Sequence, residues 1–513
     1  MTFLNHTLDN LSSPTLDSDN NVQTIDFRND HLVSTSSASP LNSEQVRTYE
    51  PANTADYAQL EIDDSETTLL GSQQRLLDHD DTDEEGDPEE LKSYRLPSEG
   101  GSIFSSFLNM ANSIIGAGII GLPFAFKEAG FWTGIGLLIL LTVVVDWTVR
   151  LLMYNGKLAG RTTYQDLMEF SFGRPGLVAI SIFQFAFAFG GMCAYCVILG
   201  DTIPHVIRSI FPNIHNVPLL WIFGNRKLCI TFFTLFVSYP LSLYRDISKL
   251  AKTSALALVA IIVIIVSVAI EGPKMPATIR GSSDNMFIVI NNEVFQAIAV
   301  ISFAFVCHHN SFLIFGSLKQ PSLNRFAAVT HWSMFIAFAT CFILAVSGYL
   351  VFTDKTTGNI LNNFPQDNLL INIARLAFGL NMFTTIPLEA FVCREVMETF
   401  FWASEPYNRV RHCAITTILV LISLIISLVT CNLGTVLELT GAFSATALAF
   451  ILPPLCYLKL ANGPVWQINK IPHWLCMIFG IIVMAVSTFY SLQKAFIGSS
   501  AGVHKSQSEL VCN

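Results

Sequence analysis

Long apolar stretches alternate with short polar loops over most of the chain after residue 100. Eleven of these stretches are long enough to cross about 30 Å of hydrocarbon as helices. Their bounds are roughly 103–126, 131–154, 176–199, 228–244, 254–270, 295–317, 330–352, 369–393, 413–431, 434–458 and 474–496. Because backbone exposed to lipid must hydrogen-bond within its own segment, the pattern predicts an all-α integral membrane protein with about 11 transmembrane helices.

The first apolar stretch is interrupted by glycines in the middle of its predicted span. Gly116, Gly118 and Gly121 lower the cost of leaving the helix. Unwound backbone exposes N–H and C=O groups, which suit a carboxylate and a cation respectively. Close helix packing through small residues is the alternative. Asn109 and Asn112, which lie about one turn earlier, favour a binding site over packing alone.

The sixth apolar stretch has a second interruption at residues 302–310, where a serine, two histidines and an asparagine fall inside the span. Such polar side chains are tolerated in a membrane when they face a cavity. Interrupted first and sixth spans are what a five-plus-five inverted repeat with broken helices 1 and 6 predicts. His308 and His309 could form structural hydrogen bonds, line a substrate site or carry protons.

Polar residues in the eighth apolar stretch allow two interpretations. Asn381, Thr384 and Thr385 lie just before a proline, so the hydroxyls could bond carbonyls that the proline leaves free. Alternatively, one threonine supplies oxygen to a sodium ion. Glu389 could carry protons or pair with Arg394, and we favour the ion pair.

Charge is scarce and unevenly distributed. Charged residues make up 13% of the chain, whereas soluble proteins contain about 25%. Residues 1–100 hold 22 acidic and 5 basic residues, and the remainder holds 17 acidic and 24 basic residues. We therefore predict a disordered acidic cytosolic tail at 1–100, a transmembrane transporter domain at 101–498 and a short non-cytosolic tail at 499–513. The absence of a clustered basic surface argues against a nucleic-acid partner.

Basic residues in the short loops predict the orientation. Fourteen lysines and arginines lie on the side that includes the N-terminus and nine on the other, which predicts a cytosolic N-terminus. Arg150 follows Asp146 by four residues, so we expect an intrahelical ion pair. In the tail, Glu61–Leu70 ends in a dileucine behind acidic residues and resembles an endolysosomal sorting signal. Because Ser65 takes the position of the usual acidic residue, we favour the alternative of a solvated charged tail, and the resemblance gives a vacuolar or lysosomal membrane only a slight preference over the plasma membrane.

Four separate runs of residues resemble the amino acid/auxin permease family. They are NSIIGAGIIGLP at 112–123, YPLSLYR at 239–245, SFAFVCHHNSF at 302–312 and ILPPL at 451–455. Within that family, the chain resembles the sodium-coupled neutral amino acid transporters and the fungal vacuolar amino-acid transporters. The likeness covers the body from about residue 101 to 496 and leaves out the tail.

The resemblance implies a LeuT-like architecture and sodium- or proton-coupled secondary active transport of neutral amino acids. It also implies a substrate between the first and sixth helices, with its carboxylate at the break in the first. The predicted substrate-binding residues are Asn112, Ser113, Gly116, Ala117, Gly118, Phe303, Phe305, Cys307 and His308. The predicted coupling-ion residues are Asn112, Thr384 and Thr385, and the local register allows either threonine.

Neither an enzyme nor a resident cofactor is expected. We find no nucleophile–base pair and no cluster of metal ligands, so a co-transported sodium ion or proton is the only ion predicted. Cys193 and Cys196 form a C-x-x-C inside an apolar helix, which we interpret as packing. The expected partners are an amino-acid substrate and the lipid bilayer. An alternative function is an amino-acid sensor whose Ser/Thr-rich tail binds sorting or signalling partners when phosphorylated.

Overall fold

The computed structural model places a helix at each predicted span. It describes residues 102–211, 221–244, 254–284, 286–430, 432–464 and 466–500, without the side chains of 254–256 and 495–500. The helices are α1 Ile103–Ile114, α2 Leu122–Ala129, α3 Phe131–Ala159, α4 Tyr164–Phe172, α5 Arg174–Ile210, α6 Arg226–Phe233, α7 Ser254–Glu271, α8 Val294–Phe305, α9 His308–Gly316, α10 Leu323–Phe352, α11 Leu369–Phe401, α12 Arg409–Val429, α13 Leu433–Thr440, α14 Leu452–Leu460 and α15 Ile471–Ser500. The predicted tails lie outside the described residues, apart from residues 499 and 500, which end α15.

The number of spans agrees with the prediction of about 11. In the described part of the chain, nine helices are long and apolar enough to cross a membrane, or ten when α1 and α2 count as one bent span. The remaining predicted span corresponds to α6, which continues through a π-helical turn at Thr234–Ser238 and a last helical turn at Tyr239–Ser242. The all-α membrane fold class is confirmed.

The first and sixth spans are both broken, as predicted. After α1, Ile115 and Gly116 leave helical geometry with ψ angles of 59° and −150°. A 3₁₀ turn at Ala117–Gly121 then leads into α2, and the two halves of the span differ in direction by 41°. In the sixth span, Val306 has a ψ of 117° and Cys307 separates α8 from α9.

The two breaks lie side by side because a glycine allows it. A Cβ atom at Gly118 would lie 2.6 Å from Ala304 Cα and 2.8 Å from Ala304 Cβ, so a hydrogen atom is the only side chain that fits without displacement. A hydrogen bond of 3.0 Å from Asn310 Nδ2 to Ser113 Oγ joins the same two spans. The breaks are therefore held together at the centre of the bundle.

Two ion pairs expected from the sequence have different outcomes. Arg150 Nη2 lies 2.9 Å from Asp146 Oδ2, which confirms that pair. The pair between Glu389 and Arg394 does not form within the described residues, since Arg394 Nη1 donates to the Ser242 carbonyl at 3.0 Å. Residues five apart on a helix point about 140° from each other, which explains why that expectation was wrong.

Candidate functional site

A cavity of about 210 Å³ lies where the two broken spans meet α5 and α11. The first span contributes every residue from 112 to 118. Further lining residues are Phe187 and Tyr195 of α5; Phe303, Ala304, Val306, His309, Asn310 and Leu313 of the sixth span; and Asn381, Met382, Thr385, Leu388, Glu389, Phe391, Val392 and Glu395 of α11. The volume and the mixed polar and apolar lining suit a small solute.

The broken helices place helix ends at this cavity. α1 ends at Ile114, and its last carbonyls have no partner within their own helix. The 3₁₀ turn that begins at Ala117 and α9, which begins at His308, bring unpaired amides to the same region. The N-terminal end of a helix attracts anions and the C-terminal end attracts cations. The site can therefore hold a carboxylate and a positive charge close together.

Seven of the predicted site residues line the cavity and four do not. The lining includes Asn112, Ser113, Gly116, Ala117, Gly118, Phe303 and Thr385. Phe305 and Cys307 are fully buried in the surrounding core, and His308 and Thr384 also lie outside the lining. The structure thus brings the two breaks and one threonine together, while Phe305, Cys307 and His308 are buried outside the lining and Thr384 is partly exposed.

The two neighbouring histidines point in different directions. His308 is fully buried, and its Nε2 lies 3.0 Å from the Thr148 hydroxyl of α3. His309 lines the cavity, and its ring centroid lies 4.9 Å from that of Phe187. Phe187 in turn lies 5.4 Å from Phe303. These three rings form one aromatic wall of the cavity, which can contact an amino-acid side chain.

The two neighbouring threonines also differ in position, although both hydroxyls donate to the Asn381 carbonyl at 2.9 Å. Thr385 and Asn112 both line the cavity, whereas Thr384 does not. A hydroxyl that donates one hydrogen bond keeps lone pairs on its oxygen. Thr385 is consequently the threonine whose oxygen is available to a cation in the cavity.

Several cavity residues were absent from the predicted set. Asn310 belongs to a run that was noted for its polarity, and Glu389 follows Thr385 by one helical turn, so a search by helix face would have found both. Phe187 and Tyr195 lie in α5, which is apolar around most of its circumference. No periodic signal marks which of its faces meets the cavity.

The cavity is acidic. In the described part of the chain, the charged residues in its lining are Glu389 and Glu395, and neither a lysine nor an arginine lines it. Among the residues that the structure describes, no group of three or more His, Cys, Asp or Glu side chains could hold a metal ion. Cys193 and Cys196 are free and buried. The polar chemistry of the site therefore comes from backbone ends, hydroxyls, amides and carboxylates.

The lining extends toward one side of the bundle. We call this the inner side, because α1 begins there and the N-terminus is predicted to be cytosolic. Along α11 the lining runs from Asn381 to Glu395, about four helical turns. Glu395 is exposed, and Leu313 of α9 is 71% exposed. The cavity thus reaches from the breaks to the inner side of the protein.

Comparisons of the sequence with known proteins match it to amino acid transporters. The family model described as "transmembrane amino acid transporter protein" matches residues 99–496. Vacuolar amino acid transporter 2 of Saccharomyces cerevisiae is 41% identical over 408 residues, which are 78% of this chain and 85% of that protein. "Putative sodium-coupled neutral amino acid transporter 11" of Danio rerio is 37% identical over 402 residues, 77% of this chain and 88% of that protein.

Among solved structures, the manganese transporter of Eremococcus coleocola superposes with a TM-score of 0.49 and 13% sequence identity. The superposition covers 80% of this chain and 89% of that protein.

Proposed function

Because this chain belongs to the transmembrane amino acid transporter family, we propose that it is a secondary active transporter that couples neutral amino-acid movement to sodium or protons. The observation that carries this proposal is the cavity between the two broken spans. It combines helix ends suited to a zwitterion with an aromatic wall, and it is large enough for a small solute. The printed names of the two relatives support the amino-acid cargo.

The substrate's carboxylate binds the unpaired amides at Gly116–Gly118, since these residues line the cavity at the start of a helical turn. Its side chain packs against Phe187 and Phe303. Phe305, Cys307 and His308 support this wall from behind. Movement of α1 against the rest of the bundle then exposes the site to one side of the membrane at a time.

Thr385 and Asn112 hold the coupling ion if that ion is sodium, a hard cation that prefers oxygen ligands, because both line the cavity. Thr384 has the same side chain but lies outside the lining, so it serves as the matched comparison. The membrane we propose is that of the vacuole or lysosome, with a cytosolic N-terminus. This location agrees with the printed name of the yeast relative.

The test is uptake by the purified protein in liposomes. A panel of labelled neutral amino acids is supplied while the sodium and proton gradients are varied independently. We expect at least one amino acid to accumulate above its external concentration when one of the gradients is imposed. Absence of gradient-driven uptake across the whole panel would contradict the proposal.

Thr385→Val and Thr384→Val identify the ion ligand. If sodium drives uptake, Thr385→Val should raise the sodium concentration for half-maximal uptake at least tenfold, and Thr384→Val should change it by less than threefold. The reverse order would show that Thr384 is the ligand. Equal, small effects would show that neither hydroxyl binds the ion.

A further inference from the structure

Glu389 has no role in the function proposed above, yet it lines the cavity. Asn381, Thr385 and Glu389 follow one another at intervals of four residues on α11, so their side chains share one face of the helix. All three line the cavity. The carboxylate is therefore part of the same polar strip as the threonine that we assign to ion binding.

The Glu389 carboxylate has no cationic partner in the described part of the chain. Glu389 Oε2 is buried and has no hydrogen-bond partner among the described residues. Arg394, the basic residue that follows it on α11, donates to the Ser242 carbonyl at 3.0 Å and to Thr416 Oγ1 at 2.8 Å. Because no lysine or arginine among the described residues lines the cavity, a positively charged group that enters it can supply the counter-charge for Glu389.

Packing from α5 holds the carboxylate in place. A Cβ atom built at Gly191 would lie 3.7 Å from Glu389 Cδ and 3.8 Å from Tyr195 Cζ, so both side chains lie over the face of α5 at this glycine. The Tyr195 hydroxyl is close enough to interact with the carboxylate. This arrangement gives Glu389 a hydroxyl neighbour but, among the described residues, no cation.

Other titratable groups near Glu389 do not supply a fixed positive charge. They are Tyr195 and Cys193 on α5, His309 on α9, and Cys393 and Glu395 on α11. Three of these five are hydroxyl or thiol groups, and Glu395 is itself acidic. His309 packs its ring against Phe187 at 4.9 Å and has no hydrogen-bond partner at its buried Nδ1 among the described residues.

We infer that Glu389 is the cation subsite of the cavity and binds one positively charged group each time an amino acid is carried. This inference rests on the proposed function and extends it. The shared chemistry of the ligand is a single positive charge. It is carried either by a co-transported proton or sodium ion, or by the amino acid itself through its ammonium group or a cationic side chain.

The experiment compares wild type with Glu389→Gln, which keeps the shape of the side chain and removes its charge. Glu169→Gln is the matched control, because Glu169 is exposed on α4 and outside the cavity. Each protein is purified at full length, checked for a single symmetric elution peak, and reconstituted in liposomes. Alanine and lysine are the probes, supplied with imposed sodium or proton gradients and, separately, in exchange at equal concentrations.

We expect Glu389→Gln to lower gradient-driven uptake at least tenfold and Glu169→Gln to change it less than twofold. Loss of gradient-driven uptake with retained exchange assigns the subsite to the co-transported ion. Loss of both for one amino acid assigns it to a charge on that amino acid. Uptake, ion dependence and exchange that all stay within twofold of wild type in Glu389→Gln would overturn the inference.

A second readout separates this inference from the proposed function. Ligands that bind the folded state raise the thermal unfolding midpoint. We expect sodium, acidic pH or lysine to stabilise wild type in detergent, and Glu389→Gln to lose that stabilisation. Such a result without wild-type flux would contradict transport and uphold the cation subsite. Equal stabilisation of wild type and Glu389→Gln would overturn the subsite whatever the flux.

Discussion

Buried carboxylates at the outer side of the bundle contact cations, whereas Glu389 in the cavity contacts none. Asp201 of α5 is 2% exposed, and Arg226 Nε lies 3.3 Å from its Oδ1. Its other oxygen accepts hydrogen bonds from Asn359 at 3.3 Å and Asn362 at 3.0 Å. This cluster joins α5, α6 and the loop between α10 and α11, and it lies outside the cavity lining.

A second outer cluster also has a cation beside its buried carboxylates, although Glu128 Oε2 and Glu438 Oε2, like Glu389 Oε2, have no hydrogen-bond partner among the described residues. Lys494 Nζ of α15 lies 2.8 Å from Glu128 Oε1 of α2 and 3.0 Å from Glu438 Oε1 of α13. Both carboxylates are at most 3% exposed. The lysine also lies 5.3 Å from the ring centroid of Phe124. Three helices that are distant in sequence are therefore joined by one cation.

Buried charges have a structural role in the ion pairs at the outer side and a functional role at Glu389 in the cavity. A buried ion pair that satisfies its own charges can hold helices together without a ligand. A buried carboxylate that faces a cavity without a cation can bind a positively charged ligand or a proton. The pairs fix the outer side of the bundle, and the unpaired Glu389 marks where cargo or an ion binds.

The largest expected loss of stability comes from breaking the ion pair between Arg226 and Asp201, which is the most buried pair among the described residues. Arg226→Met leaves Asp201 buried without its cation and should lower the free energy of unfolding by about 3–5 kcal/mol. The measurement is the thermal unfolding midpoint of the purified protein in detergent. Adding Asp201→Asn should recover part of the loss. Glu389→Gln should leave the unfolding midpoint within a few degrees of wild type. A decrease as large as that of Arg226→Met would show that Glu389 is as important for stability as the buried ion pair.

The lysine cluster tests whether one cation serves two carboxylates. Lys494→Met should destabilise the protein by about 2–3 kcal/mol, less than Arg226→Met because the Lys494 side chain is 40% exposed. Glu438→Gln leaves Glu128 to pair with the lysine, so its effect should be within about 1 kcal/mol. If Glu438→Gln is as damaging as Lys494→Met, both carboxylates are needed for the structure.

The features that the sequence could predict are local ones. Glycines inside an apolar span and a run of polar residues in another marked both breaks. The spacing of Asp146 and Arg150 marked their ion pair. Each of these depends on residues within one or two helical turns, where helix geometry decides which side chains meet. The same reasoning, applied with the correct angle, would have excluded the pair between Glu389 and Arg394.

Contacts between distant helices were not predictable from one sequence. Glu438 lies 56 residues before Lys494, and Glu128 lies 366 residues before it. Their meeting depends on how α2, α13 and α15 pack, and apolar helices carry little information on which faces touch. The same limit explains why Tyr195 of α5 was missed. The sequence therefore predicted the part of the site at the two breaks, but it did not predict the cavity residues that α5 contributes.

Substitution of Gly118, which lies between the two breaks, should lower the stability less than Arg226→Met does but should strongly reduce transport. Gly118→Ala places a methyl group within 3 Å of Ala304 and should cost about 1–3 kcal/mol by overpacking. Uptake should fall at least tenfold, because the two breaks can no longer meet. Gly136→Ala on α3 is the matched control, since its Cβ would have no neighbour within 4 Å and the residue lies outside the cavity lining. Equal uptake by both variants would show that the contact with Ala304 is not required.

The smallest effect tests whether pairing alone, without full burial, stabilises the bundle. Arg150 and Asp146 are 19% and 13% exposed, and His331 Nδ1 also lies 2.9 Å from Asp146. Arg150→Gln should therefore lower the free energy of unfolding by only about 0.5 kcal/mol, close to the value of an exposed helical pair. Unfolding midpoints measured beside Arg226→Met provide the scale. If Arg150→Gln and Arg226→Met lower the stability equally, burial does not determine how much an ion pair stabilises the protein. The burial of Glu389 without a cation would then no longer indicate a functional site.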